Sequence, residues 1–335
     1  MSASDGADES AKCAASSLAQ VFHDEGFVSL SGHARLIPSA ALVERMRDAV
    51  LRKYEAHLHA AKEKQIDLAL LKNAEVLAGF YMRQGGRVDM QISAVAFQKP
   101  VAVVAGDDSA DSGTVDDLVI DPAPLQEMAT CWRSLVEEIF RDDTVAAARD
   151  DGNSDSKMNG GSARARANYR LEYIGCVVSR PGDADQNWHL DGVHRNLNQH
   201  EKADRLNVFV PLVDLSEQIG GTEMKKKSHF RINDPTLTTT DGSASSAASF
   251  EHYAHLESVT HLVKAGTPLV MDYRVWHRGR ANAPASETLR PLLYFKYVKL
   301  QSQSQPTTAK RTATETIDKN AKKTKKRVVL TQVAN

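Results

Sequence analysis

"QNWHLDGVH", residues 186–194, is the stretch on which the fold turns. Read as extended chain, it puts His189 and Asp191 on one face, because successive side chains of a strand alternate, and sends Leu190 into the packing. An imidazole and a carboxylate two residues apart can take neighbouring positions around one metal, but two ligands do not suffice. The third is either His194, close in sequence but past Gly192, where the strand turns, or His277, at the end of "TPLVMDYRVWHRG" (267–279). His277 reaches the site only if a strand returns across a barrel. Two histidines and one carboxylate gathered in that way form the facial triad of non-haem Fe(II), with positions left open for substrate and oxygen. Softer metals would want cysteine, and none is near.

The segments around this stretch read as β. "NYRLEYIGCVVSRPG" (168–182), "RLNVFVPLVDL" (205–215), "HLVKAGTPLVMDYRVWHRG" (261–279) and "RPLLYFKYVKL" (290–300) are β-branched and aromatic runs punctuated by turn residues. The first half reads as helical. "SLAQVFHDEGFVSLSG" (17–32) begins with helical spacing and turns into a short strand. "IPSAALVERMRDAVLRKYEAHLHAAKEK" (37–64) is a long amphipathic helix with apolar residues at Leu42, Met46, Val50, Leu51 and Tyr54. A second helix follows Pro124, with a stripe of Leu125, Met128, Trp132, Leu135, Val136 and Ile139. Helices first and antiparallel strands later predict an α+β fold, a β-sandwich or jelly roll buttressed by N-terminal helices.

The expected domain plan is a disordered N-terminus (1–15), one domain over 16–300 and a disordered basic tail (301–335). Within the domain, helices fill 16–142, a Gly- and Ser-rich flexible insertion fills about 143–167, and the jelly-roll core fills 168–300. Residues 104–117 and 238–250 read as tolerated surface loops. Lys322, Lys323, Lys325, Lys326 and Arg327 form a basic cluster that suits either nuclear import, nucleic-acid contact or plain solubility.

The 335 residues are 41% hydrophobic and 25% charged with a net charge of −1, so the whole-chain balance does not argue for nucleic acid. Three cysteines without a CxxC spacing point to a reducing, intracellular setting. No secretory signal and no apolar run long enough for a membrane span is legible. The expected location is cytoplasmic, or nuclear if the basic cluster is an import signal.

Three blocks, "QNWHLDG", "GGTEMKKKSH" (220–229) and "AGTPLVMDYRVWHRGRANAPASETLRPLLYFKY" (265–297), occur in the order seen in a known family. Together they resemble the phytanoyl-CoA dioxygenase-like family of Fe(II)/2-oxoglutarate-dependent oxygenases over roughly 168–300, with an echo in "VFHDEGFVSLSG". The resemblance implies a double-stranded β-helix (jelly-roll) core with Fe(II) on His189, Asp191 and His277. It implies 2-oxoglutarate as cosubstrate, O2, and Arg290 as the cation for the far carboxylate. A planar guanidinium that stays charged and binds bidentately suits that task. Thr222 and Gln186 sit in blocks near the cosubstrate. The activity implied is hydroxylation of a small organic or lipid-like substrate with release of succinate and CO2. Asp191 speaks against the halogenating variant, which lacks that carboxylate.

Two departures stand out. "KKKSH" replaces the family's Pro-Gly-Ser-His, and the interval from His277 to Arg290 is long, which makes Arg280 and Lys296 the alternative cations. A non-catalytic binding module on the same fold is the competing reading, disfavoured by the intact ligand set. A nuclear oxygenase acting on a macromolecule is another. His23, His33, His200, His252, His255 and His261 read as surface or packed residues, His57 and His59 point apart on their helix, and His229 reads as structural. Trp188 and Trp276 read as packing.

Overall fold

The computed structural model describes residues 3–71, 73–93, 120–141, 168–194, 200–230, 251 and 253–300. All of them belong to the first of two units, Met1–Gln301 and Ser302–Asn335. The insertion at 143–167, the loops at 104–117 and 238–250, His252 and the basic tail lie outside the described residues.

Helix α1 spans Ala3–Glu25. Residues 3–15, expected to be disordered, are therefore helical. The reason is alanine at 3, 7, 11, 14 and 15, which has the highest helix propensity and outweighs the interspersed Ser and Asp. Strand β1 (Phe27–Ser29) follows after Gly26, whose φ of 90° lets the chain leave the helix sharply. Helix α2 (Ala40–Glu63) begins where Ser39 accepts a hydrogen bond from the Leu42 amide, a cap worth about 1 kcal/mol. Its buried stripe is Leu42, Val43, Met46, Val50, Tyr54, His57 and Ala61. Val43 falls inside this stripe, and Leu51, expected in it, lies at its edge and is only partly buried.

The second predicted helix is two: α3 (Pro122–Cys131) and α4 (Arg133–Ile139). The break is Trp132, at φ −109° and ψ 11°. Its indole is fully buried, donates to the Tyr297 hydroxyl at 2.9 Å and meets Phe295 edge-on at 5.1 Å. Satisfying that N–H against the sheet outweighs helix continuity.

The helical assignment of 16–142 is corrected between the helices. Strands β2 (Ala74–Leu77), β3 (Phe80–Met82) and β4 (Val88–Ser93) lie there. "FYMRQGGRVDM" alternates: Phe80, Met82, Val88 and Met90 are buried, and Gly85 and Gly86, at φ 73° and 86°, make the turn. The remaining strands are β5 (Tyr169–Ser179), β6 (Arg205–Pro211), β7 (Thr222–Lys225), β8 (Ser258–His261), β9 (Leu269–Asp272), β10 (His277–Gly279) and β11 (Arg290–Lys299). They form an eight-stranded sheet, β1-β9-β6-β11-β5-β4-β3-β2, and a three-stranded sheet, β10-β7-β8, with every pair antiparallel. This is the jelly-roll core. The helices cover one face of the large sheet: Leu293, Phe295 and Tyr297 of β11 turn into the core they share with α2, α3 and α4. Arg290, Leu292 and Tyr294 alternate to the other face, where the cavity lies.

Cys13, Cys131 and Cys176 are free thiols. No helix among the described residues is long and apolar enough to cross a membrane.

Candidate active site

The opening stretch is not a strand. His189 and His277 exchange backbone hydrogen bonds of 3.0 Å each as an isolated bridge. On either side Gln186 donates to Gly279 and Gly192 to Tyr273, both at 2.9 Å. The attachment points fall three residues apart, so a regular two-residue ladder does not form. The bridge nevertheless achieves what alternation predicted. One ligand-type atom each from His189, Asp191 and His277 lie within 4.8 Å of one another. His194 is neither in that group nor among the residues lining the cavity.

Each donor is aimed by a neighbour. Nδ1 of His189 donates to the Asn187 carbonyl and Nδ1 of His277 to the Val275 carbonyl, both at 2.9 Å. A carbonyl only accepts, so the proton sits on Nδ1 and the Nε2 lone pair of each ring is turned to the centre. Burial pushes the His277 imidazole down to about 4, against the opposing pull of Asp191, so it is neutral and available. Asp191 Oδ2 accepts from Asn207 Nδ2 at 2.8 Å, and Oδ1 lies 3.7 Å from His277 Nε2. The turn carrying His277 is fixed by a buried pair. Arg274 donates to both carboxylate oxygens of Asp272, at 2.9 and 2.6 Å.

The centre opens into a cavity of about 450 Å³. Arg290 lines it and is 5% exposed. Its Nη1 is committed to the carbonyls of Ile219 and Arg280, at 2.9 Å each. Burial, then the nearby Arg87 charge, pushes it down to about 9, an environment that favours a bound anion. The extra residues before it are absorbed by a short 3-10 turn, Pro284–Ser286, and by Glu287 at φ 53°. Arg290 thus enters β11 opposite Ser179. The alternative cations are elsewhere. Arg280 pairs with Glu223 at 3.0 Å and Lys296 with Glu172 at 2.8 Å, and neither lines the cavity.

Thr222 and Gln186 both line it. Gln186 Oε1 accepts from the Gly279 amide at 2.9 Å, which ties the His189 loop to β10. The "KKKSH" departure is also resolved. Lys227 takes the left-handed conformation, φ 62°, at the position of the family's glycine, at a cost of about 1–2 kcal/mol. Ser228 Oγ then bridges the Lys225 carbonyl (2.7 Å) and the Trp276 amide (2.8 Å), and Lys225 itself is buried with Nζ on two carbonyls. His229 is structural as expected, its Nε2 donating to the His23 carbonyl at 2.9 Å. Trp188 packs against the Arg278 guanidinium, 4.7 Å from its ring, and not into the cavity.

Sequence reasoning missed Asn207 and Arg87. Asn207 is the one polar residue between Leu206 and Pro211 in an otherwise apolar strand, which is a legible signal. Arg87 is fully buried and lines the cavity. Nη1 donates to the Ala184 carbonyl at 2.7 Å, Nη2 to those of Gly279 (3.0 Å) and Arg280 (2.8 Å), and Nε has no partner.

A family model described as phytanoyl-CoA dioxygenase (PhyH) matches residues 22–288. No curated protein sequence matches the chain. Among solved structures, the chain is similar to the non-heme alpha ketoglutarate dependent carbocyclase SnoK from nogalamycin biosynthesis, at 14% identity over 84% of this chain and 83% of that one, TM-score 0.47. It is similar to the epimerase SnoN from the same biosynthesis at 13% identity, over 86% and 83% of the two chains, TM-score 0.46. It is also similar to AviO1 from Streptomyces viridochromogenes Tue57 at 15% identity, over 84% and 94%, TM-score 0.45. With its family model spanning most of the sequence and a two-histidine, one-carboxylate centre at the mouth of a jelly roll, the chain belongs to the phytanoyl-CoA dioxygenase (PhyH) family, enzymes that use Fe(II), 2-oxoglutarate and O2.

Proposed function

We propose that residues 16–300 work as one oxygenase domain in which His189, Asp191 and His277 hold Fe(II), Arg290 receives the C5 carboxylate of 2-oxoglutarate, and a small organic substrate is hydroxylated. The observation that carries this reading is the donor set. Two Nε2 lone pairs and one carboxylate converge, with both Nδ1 protons spent on carbonyls, beside a buried guanidinium in one cavity. Two imidazoles and one carboxylate suit Fe(II) and leave part of its coordination sphere open. When bound, the iron supplies oxygen activation coupled to oxidative decarboxylation of 2-oxoglutarate to succinate and CO2.

The protein's own residues do the rest. Asn207 keeps Asp191 turned to the centre. Arg290 fixes the cosubstrate by its far end, and Thr222 and Gln186 wall it. Phe209, Leu292 and Val177 line the cavity with apolar surface that excludes water. The test is succinate formation by the full chain supplied with Fe(II), 2-oxoglutarate and air. Release of CO2 matching succinate is expected, and a rate no higher than in chelator-treated protein would sink the reading.

Asn207→Ala removes the donor that orients Asp191. Partners of that kind are worth about 10–100-fold in metal affinity. A fall of that size in Fe(II) or Mn(II) affinity is expected by calorimetry, with the thermal midpoint of the metal-free protein changed little.

A further inference from the structure

We infer that the substrate carries a carboxylate or similar monoanionic group, bound at the β3–β4 turn by Arg83 together with Arg87. The inference rests on the cosubstrate reading above and deepens it. The Arg83 amide donates to the Arg87 carbonyl at 2.7 Å, which continues the β3–β4 register (Tyr81↔Asp89, Met82↔Val88) by one pair. Opposed residues of an antiparallel pair share a face, and both side chains line the cavity, Arg83 on the side of Asp89 and Arg87 on the side of the Gly279 and Arg280 carbonyls.

The carboxylate paired with Arg83 is already used. Asp89 Oδ2 accepts both Arg83 Nε (3.0 Å) and Arg83 Nη2 (2.7 Å), and Oδ1 accepts the Tyr294 hydroxyl at 3.0 Å. Arg83, its side chain 47% exposed, has Nη1 turned to no described residue, and the fully buried Arg87 Nε has no partner among the described residues. A buried, charged N–H without an acceptor costs several kcal/mol unless a ligand fills its place.

Charge balance agrees. Arg83, Arg87 and Arg290 line the cavity against Asp89 and Asp191. Fe(II) and doubly charged 2-oxoglutarate cancel each other, whichever residues they touch, and one positive charge remains. Of the neighbouring acids, Asp183 and Asp185 lend opposing charge to Arg87 and Arg290 but lie outside the lining and are shared with other groups. Asp183 accepts from the Arg180 amide at 2.6 Å, and Asp185 lies 3.5 Å from both Arg278 and Arg280. A fatty acyl chain is a poor occupant, since it would leave the buried Arg87 Nε without an acceptor. The fit is a compact acid whose body rests on Phe209, Tyr273 and Tyr294.

The test uses the full chain loaded with Zn(II) and N-oxalylglycine, an inert mimic of 2-oxoglutarate, so that the cosubstrate position is filled. Ligand-observed NMR then scores a set of small carboxylic acids, each paired with its primary amide. Acids are expected to bind at least about tenfold tighter than their amides, the worth of one charge-assisted hydrogen bond. Arg83→Gln is expected to bring the ratio close to one while N-oxalylglycine affinity is kept. Equal binding of acids and amides, binding of neither, or a preference that survives Arg83→Gln overturns the inference. Calorimetry of N-oxalylglycine is run first and reports on the cosubstrate reading separately. Its failure to bind sinks that reading, whereas its binding alongside indifferent acids and amides sinks only the substrate inference.

Discussion

Replacing His189 by alanine is expected to lower succinate formation on the order of a thousandfold, about 4 kcal/mol of lost transition-state stabilisation. The size follows from the geometry. Among the described residues three protein donors converge, so the loss of one leaves a bidentate site and an Asp191 carboxylate with less charge to face. His277→Ala is expected to cost as much, and the double variant little more, because ligands of one metal act as a unit. Metal content measured on the purified variants should fall in parallel with turnover. The control is His261→Gln, which alters another buried histidine, one outside the cavity lining whose ring meets the Thr267 carbonyl at 3.4 Å. Activity lost equally in that variant, or retained in His189→Ala, would remove the metal centre from the account.

Arg290→Leu is expected to raise the KM for 2-oxoglutarate by on the order of a hundredfold or more. Removing one partner of a buried charged pair costs about 3–5 kcal/mol because the other charge stays buried alone. Arg290→Lys should recover only part of the affinity, since an ammonium is a point donor and the guanidinium a fork. Arg290 also holds two backbone carbonyls through Nη1, so a stability loss is expected with Leu. The thermal midpoint and the KM separate the two effects. Arg280→Leu is the discriminating comparison. Arg280 is a 41% exposed side chain paired with Glu223, and its loss should leave the KM within about twofold. A large KM change there, with none at Arg290, would hand the cosubstrate to the other cation.

Much of the site was legible because it is written in local spacing. His189 and Asp191 are two residues apart, and His277 stands beside a glycine turn. Leu293, Phe295 and Tyr297 alternate with Arg290, Leu292 and Tyr294 over one strand, so the face that meets the cavity follows from period two alone. The helical stripe of α2 was legible for the same reason. What misled was composition without long-range information. Alanine-rich 3–15 passed for disorder, and β2–β4, being short and interrupted by polar residues, passed for part of a helical half. The extended reading of 186–194 anticipated that His189 and Asp191 come together, but a single bridge does the work assigned to a strand.

The sequence by itself determined the helices-then-strands, jelly-roll class and the placing of ligand-type residues two apart in the chain, because each rests on local pattern. The tertiary structure decided which histidine completes the centre, since His277 reaches His189 through a bridge between segments 88 residues apart. It also decided that Nε2 faces the centre and that Asn207 holds Asp191. Above all it brought Arg87 to the carbonyls of Gly279 and Arg280 and set Arg83 opposite it on the cavity face. Those relations depend on sheet register and on desolvation inside the closed fold, which no local pattern encodes.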